Sequence, residues 1–247
     1  MHPDDFSLLL QSSIDTTIVV PCFNEEEFIT TTLECIQSAA ESIGMSYEVI
    51  VIDDESRDRT YEVAENYRQA HPEMPLIVKR NEKNRGLSRT FCDGAFLGKG
   101  RYYRLVCGDN SETADSLRKI FEMRGTADII LPYHPTVPGK SAIRRKISKL
   151  YTAIINSITG YNLKYYNGCP LFYRLDVMRW GSYSFGFGFQ ADLLTRLLDE
   201  GRSYLEIPVE VYHHENDAGA SAFRIRNVLS VLHTISELMV RRLRRHV

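Results

Sequence analysis

One pattern limits this chain more than any other. Short apolar runs rich in β-branched residues alternate with stretches of helical periodicity, and the runs end on polar residues. Thr17–Pro21 reads TIVVP, Glu48–Asp53 EVIVID, Leu76–Lys79 LIVK, Tyr102–Cys107 YYRLVC and Asp128–Pro132 DIILP. Between them, residues 25–43, 58–70, 88–97 and 113–123 place apolar side chains at helical spacing, with Asp58 expected early in the first turn of its helix. Strands without polar alternation are buried on both faces. The pattern therefore predicts an α/β fold, a mainly parallel sheet with helices on both faces. Ligands of such sheets sit at the carboxyl ends of the strands. Here those ends carry Asn24, Asp53, Asp54 and Asp109, a polar edge suited to a nucleotide.

The second half is less regular. Residues 141–159 read as a basic amphipathic helix, 165–173 as strand and loop, and 190–200 as a helix stopped by Gly201. Tyr204–His213 alternates like a strand, with Pro208 marking an edge or bulge. Asn227–Arg245 reads as a final helix whose apolar stripe is expected to pack in the core. There is no repeat and no linker-like segment in the 247 residues. The chain is read as one domain, residues 1–247, with a front half (16–135) and a rear half (136–247).

Charge and cysteine content narrow the function classes. The net charge of -2 hides 15 basic and 23 acidic residues in 1–140, against 15 basic and 9 acidic in 141–247. An acidic front half argues against a nucleic-acid partner, and a basic rear half points to an anionic one, a membrane surface or a phosphate. Five cysteines without a CxxC pair argue against a disulfide scaffold and fit a reducing, cytoplasmic setting. Met1–Asp5 has no basic leader character. Gly94–Lys99 is one residue short of a phosphate loop, and Gly186-Phe-Gly188 is a lone GxG. The adjacent His213 and His214 read as a strand end rather than a metal site.

Four segments carry a resemblance. VVPCFNEEEFI (19–29), VIDDESRDRT (51–60), NRGLSRT (84–90) and CGDN (107–110) stand in order, each at an expected strand end. Together they resemble glycosyltransferase family 2, whose front half is a GT-A nucleotide-sugar-binding fold. YNGCPLFYR (166–174), GFGFQADLLTRLLDEG (186–201), YLEIPVEV and GASAF (219–223) are similar to the dolichol-phosphate mannosyltransferase-like branch. The resemblance implies an enzyme that moves a sugar from a nucleotide-sugar donor by inverting displacement. It implies a polyprenyl phosphate acceptor and places Pro21, Asn24, Glu25, Asp53, Asp54 and Arg85 around the nucleotide. A saccharide or other hydroxyl acceptor, and a non-catalytic nucleotide-sugar-binding protein on the same fold, are the alternatives.

The chemistry is sharpest at Cys107-Gly108-Asp109-Asn110. The family's Asp-x-Asp binds Mg²⁺ or Mn²⁺ across the diphosphate. Asp109 matches its second Asp and is the expected metal ligand and catalytic residue. Cys107 stands at the first, and a thiol is a poor partner for a hard cation. Ser111 and Glu112 are nearby oxygen donors able to compensate. Asp192 falls near the family's general base, a group that a hydroxyl acceptor requires and a phosphate does not; the alternative is a helix N-terminal charge. Arg144, Arg145, Lys146 and Lys149, with Arg241, Arg242, Arg244 and Arg245, suggest peripheral attachment to an anionic membrane.

Overall fold

The computed structural model describes residues 12–136, 141–180, 188–212 and 225–245. The N-terminal residues, Gly186, the pair His213 and His214 and the 219–223 segment lie outside the described residues.

The strands are β1 (Thr16–Cys22), β2 (Tyr47–Asp53), β3 (Leu76–Arg80), β4 (Tyr102–Leu105), β5 (Ile129–Tyr133), β6 (Phe172–Tyr173) and β7 (Tyr204–Pro208). The helices are α1 (Ile29–Ser42), α2 (Thr60–Ala70), α3 (Leu87–Leu97), α4 (Ala114–Glu122), α5 (Ala142–Thr159), α6 (Arg174–Arg179), α7 (Phe189–Asp199) and α8 (Ile225–Arg245). One sheet has the order β3-β2-β1-β4-β6, parallel except for β6. The parallel pair β5-β7 joins it through an antiparallel bridge between Ile130 and Leu171. The fold is α/β, with a mostly parallel central sheet.

The reason is visible along β1, where six of seven residues are buried. Ile18, Val20 and Cys22 face a core built with α1, α2 and α4. Val19 faces the other core, which holds Phe91 and Ala95 of α3 and Phe189, Leu193 and Leu197 of α7. Successive strand side chains point to opposite faces, so a strand covered on both sides is apolar at most positions on each.

Several expected bounds move. The first helix starts at Ile29 rather than Glu25, because residues 25–28 form a turn closed by the Phe28 N–H on the Glu25 carbonyl. Asp58 precedes α2 instead of lying in its first turn, and accepts the N–H of Thr60. Strand β7 stops at Pro208, and α6 was not expected at all. The apolar stripe of α8 is not mainly core: Leu238 is buried, but Leu229, Leu232, Met239, Val240 and Leu243 are exposed.

Candidate active site

Register brings the ends of the first three strands side by side, Cys22 beside Asp53 and Asp53 beside Arg80. Asp53 is fully enclosed. Its Oδ1 accepts the Ser56 N–H at 3.2 Å, while its Oδ2 lies 3.2 Å from Arg80 Nε without a hydrogen bond. Arg80 also donates to the Ser56 carbonyl at 2.9 Å and lies over the Tyr61 ring. Its side chain is half exposed, whereas that of Asp53 is fully enclosed. Sequence reading missed Arg80, since only strand register places it against Asp53.

Asp54 has a different task. It accepts the N–H groups of Arg85 and Gly86 at 2.8 and 2.7 Å, and Asn81 Nδ2 at 2.7 Å. It thereby fixes the turn into α3, where Gly86 takes φ 80°, a conformation that favours glycine. The Arg85 side chain pairs with Asp93. Asn24, at φ 60°, accepts the Arg57 N–H at 2.8 Å and donates its own N–H to Ser56 at 2.9 Å. The Glu25 N–H goes to Thr60 Oγ1 at 2.8 Å, and the Glu26 N–H to Asp58. The loops after β1 and β2 are thus one hydrogen-bonded unit. Burial opposes charge on Asp58, but its bonds from Thr60 and Glu26 outweigh that and lower its pKa.

The loop after β4 carries Asp109, whose Oδ1 accepts the Ser111 N–H at 3.1 Å. Thr32 of α1 grips this loop: its hydroxyl donates to the Gly108 carbonyl at 3.0 Å and accepts the Asn110 N–H at 3.1 Å. A Cβ at Gly108 would come within 2.7 Å of Cys22 Sγ and 3.3 Å of the Pro21 carbonyl, so the loop presses on the end of β1. That contact is what Pro21 contributes to the site.

The residues around Asp109 bear on a divalent cation. Hydrogen bonding to the Cys169 thiol, together with burial, pushes the Cys107 thiol well above its ordinary range. It stays a neutral thiol, a poor ligand for a hard cation. Glu112 is buried and paired with Arg104, which is fully enclosed. Its expected role as a compensating ligand is taken up by that pair. Among the described residues no three His, Cys, Asp or Glu gather into a metal-holding group. This donor set fits a cation that takes one carboxylate from the protein and completes its shell with phosphate oxygens and water, as Mg²⁺ does.

Asp192 sits in the first turn of α7, 5% exposed. Both its oxygens bond Arg196 Nε, at 3.1 and 3.0 Å, and Oδ1 also accepts from Arg241 at 2.8 Å. Arg242 pairs with Asp199 at 2.7 Å and lies over the Tyr161 ring. Two of the four closing arginines therefore turn inward, against the expectation that all four face a membrane.

Residues 17–180 match the profile of "Glycosyl transferase family 2". The chain belongs to that family. The matched span contains all four front-half motifs. It is 23% identical over 220 residues to an undecaprenyl-phosphate 4-deoxy-4-formamido-L-arabinose transferase of Edwardsiella ictaluri, 89% of this chain and 66% of that one. It is 27% identical over 209 residues to an undecaprenyl-phosphate mannosyltransferase of Micrococcus luteus, 80% of this chain and 83% of that one. The chain spans less than two thirds of the first of these, and 33% to 50% of several further curated relatives. The fold is that of a mannosyltransferase from Pyrobaculum calidifontis solved with GDP-mannose and Mn²⁺. The TM-score is 0.67 at 18% identity, over 94% of this chain and 68% of that one. This member of family 2 thus has a GT-A fold, and the relatives that it resembles include transferases named for undecaprenyl phosphate.

Proposed function

We propose that the protein transfers a sugar from a nucleotide-sugar donor to a polyprenyl phosphate, with inversion, at the cytoplasmic surface of a membrane. An oxygen of the acceptor phosphate attacks the anomeric carbon as the bond to the departing nucleoside diphosphate breaks. Asp53 with Arg80 holds the nucleoside end, and the loops fixed by Asn24, Glu25, Asp54 and Arg85 shape its walls. Asp109 would hold a Mg²⁺ or Mn²⁺, which supplies charge neutralisation at the leaving diphosphate. Thr32 keeps that loop in place while charge builds up.

The observation that carries the acceptor choice is Asp192. A hydroxyl acceptor must lose a proton to a base, whereas a phosphate is already an anion. The one acid that the sequence offers as base is committed to Arg196 and Arg241. Named relatives act on undecaprenyl phosphate, which supports the same reading. The five cysteines are free thiols, which supports a cytoplasmic setting. The test is release of nucleoside diphosphate from UDP- and GDP-sugars, with Mg²⁺ or Mn²⁺, in the presence of a short-chain polyprenyl phosphate. Release that depends on the lipid phosphate is the expected result. Release driven equally well by a saccharide would replace the acceptor, and binding of nucleotide sugar without any release would leave a binding protein.

A further inference from the structure

Helices α5 and α8 pack against each other, and α8 packs also on α7. Each leaves an apolar stripe uncovered. On α5, Ile143, Ile147 and Leu150 fall on one side at helical spacing, while Thr152 and Ile155 on the other side are buried. On α8, Leu229, Leu232, Met239, Val240 and Leu243 share one side, opposite the buried Thr234 and Leu238. These eight outward side chains are between 45% and 69% exposed. Single exposed apolar residues need no explanation, but a stripe of three and another of five, on helices packed against each other, mark a contact surface.

Charge selects the partner. Helix α5 carries Arg144, Arg145, Lys146 and Lys149 and no acidic residue, and its first ten residues are largely exposed. Helix α8 adds the exposed Arg244 and has a single acid, Glu237. A two-fold contact between copies of this chain would set the same cations against each other. An anionic surface would not. Among the described residues no helix is long and apolar enough to cross a membrane.

We infer that the outer faces of α5 and α8 form a docking surface for an anionic bilayer. The two apolar stripes enter the headgroup boundary and the flanking cations meet lipid phosphates. The inference rests on the proposed lipid-phosphate acceptor and names the surface that brings the enzyme to it. Arg241 and Arg242 are excluded from that surface, being spent on Asp192 and Asp199.

The test uses the whole chain and phosphatidylcholine vesicles with or without phosphatidylglycerol. The protein should co-sediment with the anionic vesicles only, and less as salt rises. Lys146→Glu with Lys149→Glu, and separately Ile147→Glu with Leu150→Glu, should each weaken binding by at least about tenfold. Both should leave the affinity for a nucleoside diphosphate unchanged, which shows that they fold. Absence of binding to anionic vesicles at low salt overturns the inference. So does a concentration-dependent dimer that either double variant disperses, since a second copy then covers the face. The outcome is separable from the enzymatic reading. Vesicle binding without diphosphate release sinks the transferase and keeps the surface. Turnover of a water-soluble short-chain polyprenyl phosphate without vesicle binding does the reverse.

Discussion

Thr32 brackets Asp109. From its buried place on α1 it donates to the carbonyl of the residue before Asp109 and accepts the N–H of the residue after it, at 3.0 and 3.1 Å. One hydroxyl thus satisfies two backbone groups of the loop proposed to carry the leaving-group chemistry. Thr32→Val keeps the shape and removes both bonds, and each unsatisfied group costs about 1–3 kcal/mol. The variant should melt lower and bind nucleoside diphosphate with Mn²⁺ at least ~10-fold more weakly, whereas Thr32→Ser should recover both. Recovery of stability without recovery of diphosphate affinity would show that the bracket supports the fold and not the site.

Asp109→Asn keeps the size of the side chain and its acceptor oxygen toward Ser111. Melting temperature should be unchanged, while turnover falls by at least ~100-fold, the loss expected when one oriented electrostatic group is removed. Full turnover in this variant would remove Asp109 from the chemistry.

The contrast between Asp109 and Glu112 shows what sequence can and cannot reveal. That Asp109 follows a buried strand at the ligand edge was legible from the apolar run before it. That Glu112 is spent on Arg104 was not, because the two lie eight residues apart and meet only through the turn between them. The parallel sheet and its helices were legible for the same reason as Asp109: runs such as EVIVID have one physical solution. Asp54 was legible as a polar residue at a strand end but not as the acceptor that shapes the turn before α3, since that depends on backbone N–H directions. Helix α6 went unseen because its six residues, RLDVMR, are too few to show periodicity. The stripe of α8 looked like core because amphipathicity tells that a face is apolar, not what covers it.

Glu112→Ala should therefore act on stability. Arg104 is fully buried and would lose its charged partner, a change that costs about 3–5 kcal/mol for buried pairs. Chemical denaturation measures it. Replacing both residues by Arg104→Met and Glu112→Leu should recover most of the loss, because the pair's own desolvation cost goes with it. If Glu112→Ala instead keeps its stability and loses Mn²⁺ dependence, the glutamate is a metal ligand after all.

Asp58 gives a pH dependence. Its folded-state pKa is depressed by hydrogen bonds from Thr60 and Glu26, against the opposing effect of burial. A carboxylate depressed in the folded state stabilises above its unfolded pKa of about 3.9 and loses that contribution as pH falls through the folded value. Asp58→Asn should therefore lower the melting temperature at neutral pH, with the difference from the parent shrinking below about pH 4. A difference independent of pH would mean that Asp58 acts through its shape alone.

Arg241 and Asp192 decide between two chemistries. If Asp192 is a positioning group that ties α8 onto α7, Asp192→Asn should cost stability, because Arg241 and Arg196 are left facing a neutral amide. Turnover per folded molecule should then stay within about tenfold of the parent, since loss of a general base costs about 10²–10⁴-fold. The same reasoning makes Arg241→Ala destabilising in like measure. The double variant should then be less harmful than the sum of the two, as expected for residues in direct contact. A base would behave otherwise: Asp192→Asn would abolish turnover at full stability, and the rate with the parent would rise with pH through one ionisation. That result would turn the acceptor from a phosphate into a hydroxyl, because only a hydroxyl has a proton that must be removed.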